Sequence, residues 1–98
     1  MISRDDVLAA RETIAGRLHR TPTFSSRTLG DGVFLKAELF QKTGSFKPRG
    51  ALNQIEQLSA EEKARGVITV SAGNHAQGVA WAAAAAGVKA VVVMAEAA

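Results

Sequence analysis

The sequence predicts an α/β fold built around a strand–helix–strand unit at residues 67–94. Three stretches carry that prediction. Val67-Ile68-Thr69-Val70-Ser71 is a β-branched run with the length of a buried strand. Asn74 to Ala86 is dense in alanine, the residue of highest helix propensity, and Gly87 supplies its stop. Val88 to Met94 is apolar without alternation, the pattern of a strand in a sheet covered on both faces. Two such strands joined by a crossover helix form a right-handed βαβ unit. The small side chains of Ala82 to Ala86 let the helix pack close to the sheet.

The elements before this unit follow from local signals. Ser3 and Asp6 form a capping box. Val7, Ala10, Ile14 and Leu18 then fall on one helical face, until Gly16 weakens the helix and Thr21-Pro22 stops it. His19 sits at that fraying end as a surface residue without chemistry. Thr23-Phe24 and Val33 to Lys36 predict two short strands, with Gly30-Asp31-Gly32 as the turn into the second. Ser45 is a suitable N-cap for a helix from Phe46 to about Leu58, whose apolar face is Ala51, Leu52, Ile55 and Leu58. Pro48 is tolerated there because a first turn has no intrahelical use for its N–H groups. Ser59-Ala60-Glu61-Glu62 is a second capping box, opening a short helix that Gly66 closes.

Composition excludes several function classes. A chain of 98 residues makes one small domain, and 47% hydrophobic with 21% charged residues is ordinary for a soluble one. The net charge of +3 is scattered, without a Lys/Arg block or interleaved aromatics, so the footprint of a nucleic-acid binder is missing. Without cysteine there is no disulfide frame and no thiolate metal site, and two distant histidines give a metal little to bind. No apolar run approaches the roughly 20 residues of a membrane span, and no signal peptide is visible. The expected location is the cytoplasm.

Two places carry chemistry. Lys47 falls in a first helical turn, where the macrodipole disfavours a cation by roughly 0.3–1 kcal/mol when exposed. That field favours the neutral amine, and burial beside Phe46 would push the same way. A neutral lysine amine is the nucleophile that condenses with an aldehyde. A solvated surface lysine satisfies the same pattern. The second place is Ser71-Ala72-Gly73-Asn74-His75-Ala76-Gln77-Gly78, where the first parallel strand hands over to its helix. Gly73 permits a sharp turn, Ser71 and Asn74 add side-chain donors, and a helix N-terminus at the carboxyl end of a parallel strand suits an anion. An ordinary helix start, with Asn74 as N-cap and His75 exposed, fits the spacing as well. The loop matches neither the dinucleotide fingerprint nor the P-loop.

Gln41-Lys42-Thr43-Gly44-Ser45-Phe46-Lys47-Pro48-Arg49-Gly50-Ala51 closely resembles the lysine segment of pyridoxal-phosphate enzymes of the tryptophan-synthase β fold (fold type II). Within that group the likeness is to the serine/threonine dehydratases. Ser71 to Gly78 resembles their substrate-carboxylate loop, and Thr21-Pro22 and Leu35-Lys36-Ala37-Glu38 fit them too. The resemblance implies that Lys47 holds pyridoxal 5'-phosphate as a Schiff base and later removes the substrate's α-proton. It implies that Phe46 packs beside the pyridine ring and that Asn74 bonds the cofactor's 3-oxygen. Ser71, Gly73, Asn74 and His75 would clamp the carboxylate of L-threonine or L-serine. The implied reaction is α,β-elimination to a 2-oxo acid and ammonia. Serine racemases resemble the chain almost as well but carry a second serine where Ala72 stands, which favours the dehydratase. A β-replacement enzyme of the cysteine-synthase type fits the loop less well.

The chain departs from the family in what it lacks. It matches the first third or less of a family chain, and the glycine-rich phosphate cup and the partner of the pyridine nitrogen lie further on. Ala95 stands where the family has proline. The expectation is therefore a fragment: residues 1–49 from the large cofactor domain and 50–98 from the start of the small α/β domain. A non-catalytic remnant that binds no cofactor is the alternative of another class. A bare apolar strand near the end predicts a homo-oligomer or self-association.

Overall fold

The computed structural model describes residues 1–98. The first helix, α1 (Arg4–Ile14), opens on the expected capping box: the Asp6 N–H donates to Ser3 Oγ at 3.2 Å, and the Ser3 N–H donates to the Asp6 carboxylate at 2.7 Å. It ends a turn earlier than the apolar spacing suggests. Ala15 leaves the helical region at ψ 134°, and Gly16 takes φ +73°. Leu18 therefore lies off the helix, and no residue of α1 is buried.

Strands β1 (Thr23–Ser25) and β2 (Phe34–Lys36) pair antiparallel, with Thr23 opposite Lys36. Two 3-10 turns, Glu38–Phe40 and Lys42–Gly44, lead to α2 (Lys47–Glu56), which is shorter than the predicted Phe46–Leu58 at both ends. The second capping box opens α3 (Ala60–Arg65) as expected, with the Glu62 N–H donating to Ser59 Oγ at 3.1 Å. Gly66 then turns the chain at φ +87°, where an added Cβ would lie 2.7 Å from the Lys89 carbonyl oxygen. No other residue fits that approach without a shift.

The predicted strand–helix–strand unit is present. Strand β3 (Val67–Val70) pairs in parallel with β4 (Ala90–Val93), Val67 opposite Ala90, and α4 (Asn74–Ala86) connects them. Gly87 caps α4 in the left-handed region at φ +69°. The second strand starts later than its apolar run. Val88 instead joins the core, its N–H donating to the Ala83 carbonyl at 2.8 Å.

The core lies between helices. Leu52 and Ile55 of α2 pack with Ala82, Ala83 and Val88, and Leu52 is fully buried. Burying one such leucine side chain is worth roughly 1.5–3 kcal/mol. The expectation of a sheet covered on both faces is not met within these residues. Ile68, Val70, Val91 and Val93 point away from the core and are exposed. No helix is long and apolar enough to cross a membrane.

One arginine ties the N-terminal arm to this core. The Arg17 guanidinium donates to the Ala85 carbonyl near the end of α4 at 2.7 Å and pairs with Glu56, the last residue of α2, at 3.3 Å.

Candidate active site

The segment before Lys47 is braced from several sides. Gln41 is buried, and its side-chain carbonyl accepts the N–H groups of His19 at 3.0 Å and Lys42 at 2.9 Å. Its amide donates to the His19 carbonyl at 2.8 Å. Gln41 thus pairs with the His19 backbone as a strand would. Thr43 then adopts φ +64°, a left-handed conformation uncommon for a β-branched residue. Arg49 Nε bonds Glu38 at 2.6 Å, anchoring α2 to the first 3-10 turn.

Ser45 is buried, and its hydroxyl accepts the Lys47 N–H at 3.4 Å. Phe46, the residue before the helix, has a helical backbone and no side-chain cap. Lys47 is therefore in the first turn, as predicted. Its surroundings differ from the expectation of burial beside Phe46. Phe46 is 62% exposed, and Lys47 Nζ lies 5.1 Å from the centroid of its ring. A ring face at that distance attracts a cation, so it opposes the macrodipole.

The second locus forms at the start of α4. Ser71 extends the strand pairing, its N–H donating to the Val93 carbonyl at 3.0 Å, while its hydroxyl accepts the Gly73 N–H at 3.2 Å. Gly73, and not Asn74, occupies the N-cap position. It has no side chain with which to cap, so the first-turn N–H groups of α4 are open to an outside acceptor. Asn74 is the first helical residue, and both Asn74 and His75 are exposed. His75 lines a groove of about 290 Å³ between α2 and β3, together with Gly50, Gln54 and Thr69. Lys47, Phe46, Ser71, Gly73 and Asn74 do not line it.

The two loci are joined by a backbone contact. A Cβ placed on Gly78 would lie 2.8 Å from Lys47 Cβ and 3.2 Å from the Pro48 nitrogen. The first turn of α2 therefore rests directly on α4. Asn74 lies one turn before Gly78 on the same helical face. Gly78 and Gln41 were not singled out by the sequence. The tight contact at Gly78 depends on a helix 31 residues away in the chain, and Gln41 acts on a distant backbone, so neither leaves a periodic signal.

The first turn of one helix, carrying a lysine, thus packs on a second helix whose N-cap glycine follows a parallel strand, in an α/β arrangement. The chain belongs to the family described as pyridoxal-phosphate dependent enzyme, whose sequence profile matches residues 14–98. It is 50% identical over 98 residues to L-threonine ammonia-lyase of Thermotoga maritima, covering 96% of this chain and 24% of that protein. It is 45% identical to the catabolic L-threonine dehydratase TdcB of Escherichia coli K12, covering 95% of this chain and 30% of that protein. Among solved structures, serine racemase from Dictyostelium discoideum superposes with a TM-score of 0.91 at 40% identity, covering 99% of this chain and 33% of that one. The fold is thus the N-terminal part of fold type II. The chain spans about a quarter to a third of the length of these relatives.

Proposed function

We propose that the chain carries the lysine and carboxylate-binding part of a threonine/serine dehydratase, an enzyme eliminating water from a 3-hydroxy amino acid. The observation that carries this reading is the seating of Lys47 against α4 one turn beyond Asn74. The residues present suit pyridoxal phosphate. Lys47 Nζ has the ring of Phe46 as its neighbour and forms no ion pair. The uncapped start of α4 has donors to offer an anion.

When bound, the cofactor delocalises the electron pair left at the substrate's α-carbon. Lys47 would hold the cofactor through Nζ, and the same nitrogen would be the base that accepts the substrate's α-proton. Asn74 would donate its side-chain amide to the cofactor's ring oxygen. Ser71, Gly73 and His75, with the first-turn N–H groups of α4, hold the substrate carboxylate and so fix which bond to the α-carbon is broken. The β-hydroxyl would leave as water with the proton carried by Lys47, and a second water would hydrolyse the released enamine to a 2-oxo acid and ammonia.

L-Threonine is the substrate this reading favours, following the names of the lyase and dehydratase relatives, and L-serine, also a 3-hydroxy amino acid, is the second candidate. A racemase reading draws support from the serine racemase neighbours. Ala72 counts against it, because a methyl group offers no proton on the face opposite Lys47.

The test is to mix the purified chain with pyridoxal phosphate, reduce with borohydride, and map the labelled peptide beside a Lys47→Ala control. Selective labelling at Lys47, lost in the control, is expected. Labelling spread evenly over Lys36, Lys42, Lys63 and Lys89 and unchanged by the substitution would overturn the cofactor reading for this chain.

A further inference from the structure

Gly78 of α4 lies directly against the Lys47 backbone. An ideal Cβ there falls 2.8 Å from Lys47 Cβ, 3.1 Å from the Lys47 carbonyl carbon and 3.2 Å from the Pro48 nitrogen. The obstructing atoms are two backbone atoms and the rigid base of a side chain, so none of them can swing aside. Ordinary contact begins near 3.4 Å, so a methyl group would force the helices apart by roughly 0.6 Å. Few other parts of the interface can absorb that shift. Pro48 and Leu52 follow Lys47 on α2 and are fully buried, and Ala82, one turn beyond Gly78 on α4, is fully buried as well. Close-packed interiors transmit such displacements instead of damping them.

From this contact we infer that Gly78 is a positioning residue for Lys47. Its missing side chain lets the first turn of α2 settle onto α4 and so fixes the distance of the amine from Asn74 and the α4 N-terminus. Glycine here is not required by the backbone, because Gly78 lies inside a regular helix and has no left-handed φ. In a helix interior glycine is less favourable than alanine, a cost that close approach to Lys47 accounts for. The inference rests on the reading of Lys47 as the cofactor lysine. A displacement of about 1 Å can slow a positioned reaction by about a hundredfold, so 0.6 Å is a consequential shift.

The test compares Gly78→Ala with Ala82→Gly. The second variant disturbs the same helix face one turn away, without entering the contact with Lys47. Borohydride-trapped pyridoxal phosphate at Lys47 is quantified against the four other lysines, as a rate and across pH, alongside thermal melts. Gly78→Ala is expected to slow labelling at Lys47 by at least about tenfold while leaving the other lysines unchanged, and Ala82→Gly to leave the Lys47 rate within about twofold. Equal Lys47 labelling in Gly78→Ala and the unaltered chain would overturn the positioning role alone. Losses in both variants that track their melting temperatures would overturn it too, in favour of plain stability. Unselective labelling of the unaltered chain would overturn the cofactor reading and this role together. Should Gly78→Ala fail to fold, nuclear Overhauser contacts between Gly78 Hα and Lys47 Hβ in the unaltered chain decide the matter: their presence supports the seat, and their absence overturns it.

Discussion

At the scale of single residues, the lysine segment is held mostly by groups that the sequence does not advertise. Gln41 pairs with both backbone groups of His19, 22 residues earlier in the chain, and also receives the Lys42 N–H. Removing it leaves part-buried donors without acceptors, a loss of roughly 1–3 kcal/mol. Gln41→Ala is therefore expected to lower the unfolding free energy from urea titration by that amount, while leaving helix content largely intact by circular dichroism. The place of Lys47 in a first helical turn was readable from the sequence. The environment of its amine was not. The exposure of Phe46 and the ring contact with Nζ are set by long-range packing, which no local pattern records. The start of α4 makes the same point: Asn74 has the chemistry of an N-cap, but the turn geometry gave that position to Gly73.

At the scale of elements, local signals served best where the interaction itself is local. Both capping boxes span three residues and both are formed. Helix α4 begins and ends where its alanines and Gly87 indicate. Helix α1 was overrun because the apolar series continued past Gly16, although the backbone had already left the helical region at Ala15. The caps also carry a pH dependence. The backbone N–H and then the hydroxyl of Ser3 hold the Asp6 carboxyl below its usual value. The Ser59 N–H and hydroxyl act likewise on Glu62, against a smaller opposing effect of burial and with some help from Arg65. A carboxyl depressed in the folded state lends stability above its unfolded value of roughly 4, and that stability disappears as pH falls through the folded value. Helical signal is expected to fall first on acidification below about pH 4. The double variant Asp6→Asn, Glu62→Gln should lose that acid limb, which a circular dichroism titration would reveal.

For the molecule as a whole, the decisive feature is the open face of the β3–β4 pair. Its strands were predicted correctly, but their continuous apolar character was taken to mean cover on both sides. In the structure Ile68 and Val70 are 71% and 76% exposed, with Val91 and Val93 beside them. The sequence describes a strand suited to a two-sided environment, and only one side of it is supplied by these 98 residues. An apolar face next to free strand edges favours association. Sedimentation should show concentration-dependent growth of the particle, together with bright fluorescence from a hydrophobic dye. Replacing Ile68 and Val70 with lysine is expected to diminish both without altering the melting temperature much. A single sharp monomer peak for the unaltered chain at every concentration would contradict this.

The register of that pair has a consequence for how the polypeptide acquires its shape. Val67 meets Ala90 and Val70 meets Val93, so each strand residue finds its partner 23 positions further along, with only α4 and its turns between them. Contacts of such short separation close quickly, because little chain must be brought to order first. The parallel pair can thus close soon after its second strand becomes free, with α2, which precedes both strands in the chain, already present to receive α4.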